Sequence, residues 1–183
     1  SKQKRTLAAV APQKEEALSD LDYTNSMLSA LARAENMLDL AEIEEELRTA
    51  GLLPPLKKKA KQAPAVPFRA FEKGGFHIFA GRNNVQNDRL LREAAGGDIW
   101  LHTQKYHSAH VLIRTEGKKV PDGVLLAAAE ICAHFSDGQA GNKIPVDWCE
   151  RRFVKKPPKS KAGFVVYTDF KTILADPNRH TEL

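Results

Sequence analysis

Leu18, Leu21, Leu28, Leu31 and Leu38 recur at spacings of three and seven, with Lys, Glu, Asp, Asn and Ser among the residues between them. That period puts the leucines on one side of a helix. Leu40, Ile43 and Leu47 continue it one turn apart on a second short helix, with Asp39 and Glu42 spaced like a capping pair and Gly51 placed as its stop. Two short amphipathic helices joined near Asn36 make an αα-hairpin, too brief for a sustained coiled coil and suited to the base of a longer arm. Residues 53–67 break the pattern: LPPLKKKAKQAPAVP holds four prolines and four lysines. Such a stretch buries too little apolar surface to offset its ordering entropy, which predicts a linker.

From Phe68 the period changes to alternation. FRAFEKGGFHIFAG predicts two strands around a Lys-Gly-Gly turn, with Phe68, Phe71, Phe76, Ile78 and Phe79 as their apolar positions. GRNNVQND interrupts, and LLREAA begins a short helix that Asn87 or Asp88 could cap. DIWLHT and SAHVLIR follow as strands. The turn Pro121-Asp122-Gly123 then introduces the helix VLLAAAEICAHFS, and IPVDWCERRFV, GFVVYTD and KTILAD supply further strands. The expected fold is α+β: a mixed, mainly antiparallel sheet with two or three helices, preceded by an αα-hairpin. The expected divisions are 1–52 as helical arm, 53–67 as linker and 68–183 as the sheet domain.

Composition narrows the class. The chain has 183 residues, 42% hydrophobic and 28% charged, as in ordinary globular proteins. No apolar run approaches the roughly 20 residues of a membrane helix. No Met opens the chain, and SKQKRTLAAVAP is too short in its apolar part for a secretory leader, which predicts a cut boundary inside a longer protein. Cys132 and Cys149, the only cysteines, suit two small buried hydrophobes in a reducing cytoplasm. The net charge of +5 is uneven: residues 1–50 carry −4, residues 51–67 carry +4 and residues 68–183 carry +5. A basic domain favours polyanions such as RNA, although a merely soluble basic surface would have the same composition.

Three groups of residues could carry chemistry. Arg82, Asn83, Asn84, Gln86 and Asn87 occupy a strand-to-helix connection, where amides and a guanidinium can bond phosphate, ribose or base edges; Asn also serves turns by bonding its own main chain. In DIWLHT, alternation sets Asp98, Trp100 and His102 on one strand face, either as a surface able to stack a base or as a satisfied internal network. The densest cation cluster is RRFVKKPPKSKAG, with Arg151, Arg152, Lys155, Lys156, Lys159 and Lys161 within eleven residues. A basic loop of this kind contacts a phosphate backbone without reading sequence. His102, His107 and His110 lack the helical spacing or cysteine pair of a zinc site, and no nucleophile elbow or phosphate loop occurs. Neither catalysis nor any metal or cofactor is expected.

Taken in order, GRNNVQND, DIWLHT, HSAHVLIR, AAAEICAHFS, KIPVDW, VKKPPKSKAGFVVYTDFKT and ILADP resemble the NFACT RNA-binding domain, and AEIEEELRTAGLL resembles the returning helix of that family's coiled-coil arm. In this family the domain closes the bacterial RqcH or fibronectin-binding protein A proteins and their eukaryotic relative NEMF. The resemblance implies a part in ribosome-associated quality control: binding the large ribosomal subunit with stranded peptidyl-tRNA and, in the whole bacterial protein, support of C-terminal alanine tailing. Arg82, Asn83, Asn84, Asn87, Asp98, Trp100, His102 and His110 match family motif positions. The implied partners are ribosomal RNA and tRNA, with ribosomal proteins reached through the arm; adhesion to fibronectin is the competing implication.

Overall fold

The structure is a computed structural model; it describes residues 2–56 and 65–182, and the side chains of residues 10–56 and 65–180. The KKKAKQAP stretch of the expected linker, residues 57–64, lies outside the described residues. Two helices open the chain: α1 (Lys2–Ala32) and α2 (Met37–Thr49). The turn between them is fixed by Asn36, whose side chain accepts from the N–H groups of Leu38 and Asp39 at 2.9 and 3.0 Å. Asn36 therefore caps α2, not the Asp39–Glu42 pair expected from spacing. Asp39 instead accepts from Glu35 N–H and is 1% exposed. The first helix is also long, not short. Its inward positions include Met27 and Ala30, buried like Ile43 of α2, while Leu18, Leu21, Leu28 and Leu31 are about half exposed. The leucine period marked a helix correctly, but a different face meets the rest of the molecule.

The sheet domain contains β1 (Arg69–Lys73), β2 (Phe76–Ala80), α3 (Asn84–Glu93), β3 (Ile99–Thr103), β4 (Val111–Ile113), α4 (Asp122–His134), β5 (Ile144–Glu150), β6 (Val154–Lys155), β7 (Val166–Tyr167) and β8 (Lys171–Ala175). Six strands form one sheet in the order β1-β2-β4-β3-β5-β8, and β6 with β7 forms a separate hairpin. Every pairing among the described strands is antiparallel, so the sheet is not mixed. Within the six-stranded sheet only β1–β2 and β3–β4 join strands consecutive in sequence; β2–β4, β3–β5 and β5–β8 are neighbours separated in the chain by other elements.

Both sheet faces are covered. Ile78, Ile99, Leu101, Val111 and Ile113 pack on Ala128, Ile131 and Cys132 of α4, whose small residues allow close approach. On the other face Trp100, Leu112 and Cys149 pack against Leu90 and Leu91 of α3 and against Phe153, Val154, Val165 and Tyr167 from the β6–β7 region. Trp100 is fully buried. The open display surface considered for Asp98, Trp100 and His102 is therefore absent, because α3 and the small hairpin form a third layer over it.

Candidate nucleic-acid interface

The GRNN segment meets the arm. Helix α3 is capped by Asn83, whose Oδ1 accepts from Gln86 N–H at 2.8 Å, so the helix starts earlier than a cap at Asn87 or Asp88 would allow. Asn83 Nδ2 donates to Glu42 at 2.8 Å, and Asn84 Nδ2 donates to Ser26 Oγ at 2.8 Å and to Glu46 Oε1 at 2.9 Å. Gln86 Nε2 also reaches Glu42 at 2.6 Å. Arg82 pairs with Glu35 at 3.0 Å and with the buried Asp39 at 3.2 Å. Arg69 on β1 adds a bond to Glu35 at 3.2 Å while its guanidinium lies over the Phe135 ring at 4.3 Å. Glu35, Asp39, Glu42 and Glu46 of the arm are thus engaged by the domain's amides and arginines. Burial pushes the Glu46 carboxyl above its ordinary range, although the Asn84 and Tyr23 hydrogen bonds favour its charged form.

Asn87 turns the other way. Its Oδ1 accepts from His110 N–H at 3.0 Å, tying α3 to the start of β4. A side chain at Gly81 would place Cβ only 2.1 Å from that Oδ1, so glycine is required by the close approach. Gly163 has the same relation to Asn84, with Oδ1 at 2.5 Å from a built Cβ and a φ of +78°.

Asp98 is 2% exposed and accepts from Ala95 N–H, Thr115 N–H and Arg114 at 2.9, 3.0 and 3.2 Å. It belongs to a satisfied internal network. His102 stacks on Trp100 with ring centroids 5.8 Å apart, and His110 meets both rings edge-on. Burial lowers the His102 pKa to about 4 and takes His110 well below the usual histidine value, so both imidazoles are neutral at physiological pH.

The cation cluster divides. Arg151 is half-buried and donates to the carbonyls of Leu91 and Val154 at 2.8 and 2.9 Å, which makes it a brace for the third layer. Arg152 is exposed but paired with Glu150. Lys156 joins Asp88 at 3.0 Å and Lys161 joins Asp20 of α1 at 2.9 Å, fastening the loop to α3 and to the arm. Lys155 and Lys159 are exposed and have no ion pair among the described residues. Phe164, Val166 and Phe170, each close to half exposed, lie along the following segment. Exposed cations beside exposed aromatic rings are the chemistry of a single-strand platform.

Where arm, sheet and lysine loop converge there is a cleft of about 340 Å³. Tyr23 and Ser26 line it from α1, Arg33 from the turn after that helix, His102, His107 and His110 from the sheet region, and Lys161 to Val165 with Tyr167 from the loop. Tyr23, Ser26 and Arg33 carry no motif that marks them in sequence, and the motif holding Phe164 and Tyr167 does not announce a shared cleft. They become neighbours only because the GRNN amides dock the arm. Among the described residues no helix is long and apolar enough to cross a membrane.

Comparison with known proteins agrees with this architecture. Residues 66–168 match the family model of the NFACT protein RNA binding domain, and residues 1–65 match the NFACT N-terminal and middle domains. The Rqc2 homolog RqcH of Bacillus subtilis is 36% identical over 98% of this chain and 32% of its own length, and that of Streptococcus pneumoniae is 33% identical over 90% of this chain and 30% of its own. The chain thus spans about a third of the length of these curated relatives. A solved structure described as the C-terminal of the fibronectin/fibrinogen-binding protein from Streptococcus suis superposes with a TM-score of 0.90 at 30% identity, covering 98% of this chain and 73% of that one. With residues 66–168 of its sheet domain matched by the RNA-binding model and its arm by the preceding one, the chain belongs to the NFACT family.

Proposed function

We propose that this chain is the RNA-binding module of a cytoplasmic ribosome-associated quality-control factor, without catalytic activity of its own. It divides into arm (1–52), linker (53–67) and RNA-binding domain (68–183). Its partners are ribosomal RNA of the stalled large subunit and the tRNA held there, with ribosomal proteins reached by the arm. In the whole protein it supports C-terminal alanine tailing. The observation that carries this reading is the pair of exposed cations Lys155 and Lys159, without an ion pair among the described residues, on the stretch of chain that also exposes Phe164 and Phe170, in a chain of the NFACT family. Cations in such a loop neutralise phosphates and release counterions, while exposed rings stack unpaired bases. Arg82 and the amides of Asn83, Asn84 and Gln86 contribute by holding arm and domain in one orientation.

Co-sedimentation of the 183-residue chain with purified large ribosomal subunits tests the proposal. Retention in the subunit pellet at low salt, falling steeply as salt rises, is expected; a chain left in the supernatant at every salt concentration contradicts it. The description of the Streptococcus suis neighbour favours a second reading, fibronectin adhesion. Saturable capture on immobilised fibronectin without subunit binding would select that reading.

A further inference from the structure

The cleft between arm, sheet and lysine loop has the size and lining of a ligand site. Its volume of about 340 Å³ falls at the small end of pockets that enclose small molecules. That is room for one nucleoside, and too little for a helix or a folded peptide. The lining is aromatic: His110 contributes a buried imidazole, His102 and Tyr167 partly buried rings and Phe164 a half-exposed one. His110 is 2% exposed, and its Nδ1 has no hydrogen-bond partner in the structure. A buried polar atom without a partner costs stability unless a ligand or water supplies one. The cations of the lining are partly neutralised already, Arg33 by Asp137 at 2.9 Å and Lys161 by Asp20 at 2.9 Å. A phosphate-only site would concentrate unpaired cations, whereas here they border a ring-lined interior that also receives Asp22. The loop carrying Lys155 and Lys159 runs directly into this wall, so a strand held by those lysines arrives at the cleft.

We infer that the cleft receives one unstacked nucleotide of single-stranded RNA, its base among the His102, His110, Phe164 and Tyr167 rings and its sugar-phosphate toward Lys161. Extruded bases in single-stranded RNA are commonly held this way, by stacking on aromatic or imidazole rings with hydrogen bonds to the base edge. The inference rests on the RNA-binding reading above and adds a subsite to it. His110 then gains a partner for Nδ1, and the arm becomes one wall of the RNA site through Tyr23 and Ser26.

The test is side-chain NMR of the histidines during titration of the 183-residue chain with an unstructured RNA heptamer, and separately with adenosine 5′-monophosphate. Shifts of both His102 and His110 that saturate with the heptamer are expected. Ala162→Trp, at the partly exposed rim, fills the cleft and should abolish those shifts and weaken heptamer binding about five-fold or more, the scale of one lost stacked base, with the salt dependence unchanged. His110→Phe keeps a ring but removes the nitrogens, and should weaken binding about five-fold with the same unchanged salt dependence. Heptamer that binds to saturation without moving either histidine overturns the subsite and leaves the RNA-binding reading intact. Shifts given by the free nucleotide and not by the heptamer overturn the RNA strand as the source of the ligand. No heptamer binding at any salt concentration overturns both.

Discussion

The GRNNVQND segment and the RRFVKKPPKSKAG segment are both rich in polar residues, yet the structure uses them in opposite ways. The first faces inward: Asn83, Asn84 and Gln86 are 3, 7 and 1% exposed and bond Glu42 and Glu46 of the arm. The second leaves Lys155 and Lys159 in solvent while Arg151, Lys156 and Lys161 fasten the loop in place. Amides make directional bonds that fix geometry, and lysines on a surface loop supply charge with little geometric demand. Polar residues that look like a binding motif can therefore be the joint that presents the binding surface.

The contrast predicts that damage to the first segment appears in stability. Arg82→Ala strips the buried Asp39 of its cation and should cost about 3 kcal/mol in thermal or urea unfolding. A loss below the error of the measurement would remove Arg82 from the joint. Asn84→Ala leaves Glu46 Oε1 with Tyr23 alone and should cost about 2 kcal/mol, with faster hydrogen exchange in α1 as the local signature.

Acid should destabilise the sheet around His102. The unfolded His102 takes a proton near pH 6.5, whereas burial lowers its folded pKa to about 4. Between those values the unfolded chain binds more protons, so stability falls as pH falls through this window, by on the order of 2 kcal/mol. Urea midpoints measured from pH 7 to pH 4 check this, and His102→Phe should flatten the curve. Equal slopes in both proteins would place the acid sensitivity elsewhere. Smallest of all, Lys156→Ala breaks a half-exposed pair with Asp88 and should cost roughly 0.5 kcal/mol. A loss several times larger in urea unfolding would make the lysine loop part of the rigid joint.

Much of this was legible in sequence. The order of helices and strands follows from periodicity, and the alternation in DIWLHT correctly separates Ile99 and Leu101 from Trp100. What failed were statements needing a partner distant in the chain. Asn83 and Asn36 outrank the expected caps because each start is set by how a turn packs, and Trp100 is buried because a hairpin about fifty residues later closes over it. The cleft was invisible for the same reason. Tyr23, His110 and Phe164 lie in three separate segments, and only the docked arm makes them one site.

The most direct test of the division between joint and surface is the salt dependence of RNA affinity. Binding of tRNA to the 183-residue chain is measured across a salt series for the unaltered protein, for the double variant Lys155→Glu with Lys159→Glu, and for Arg82→Lys. The lysine variant should lose about ten-fold or more in affinity at low salt, and its slope of log K against log salt should be shallower by about 1 to 2. Its unfolding midpoint should not move. Arg82→Lys should be less stable with an unaltered slope. The opposite pattern, a shallower slope for Arg82→Lys and none for the lysine pair, would contradict the account and return RNA contact to the GRNN segment.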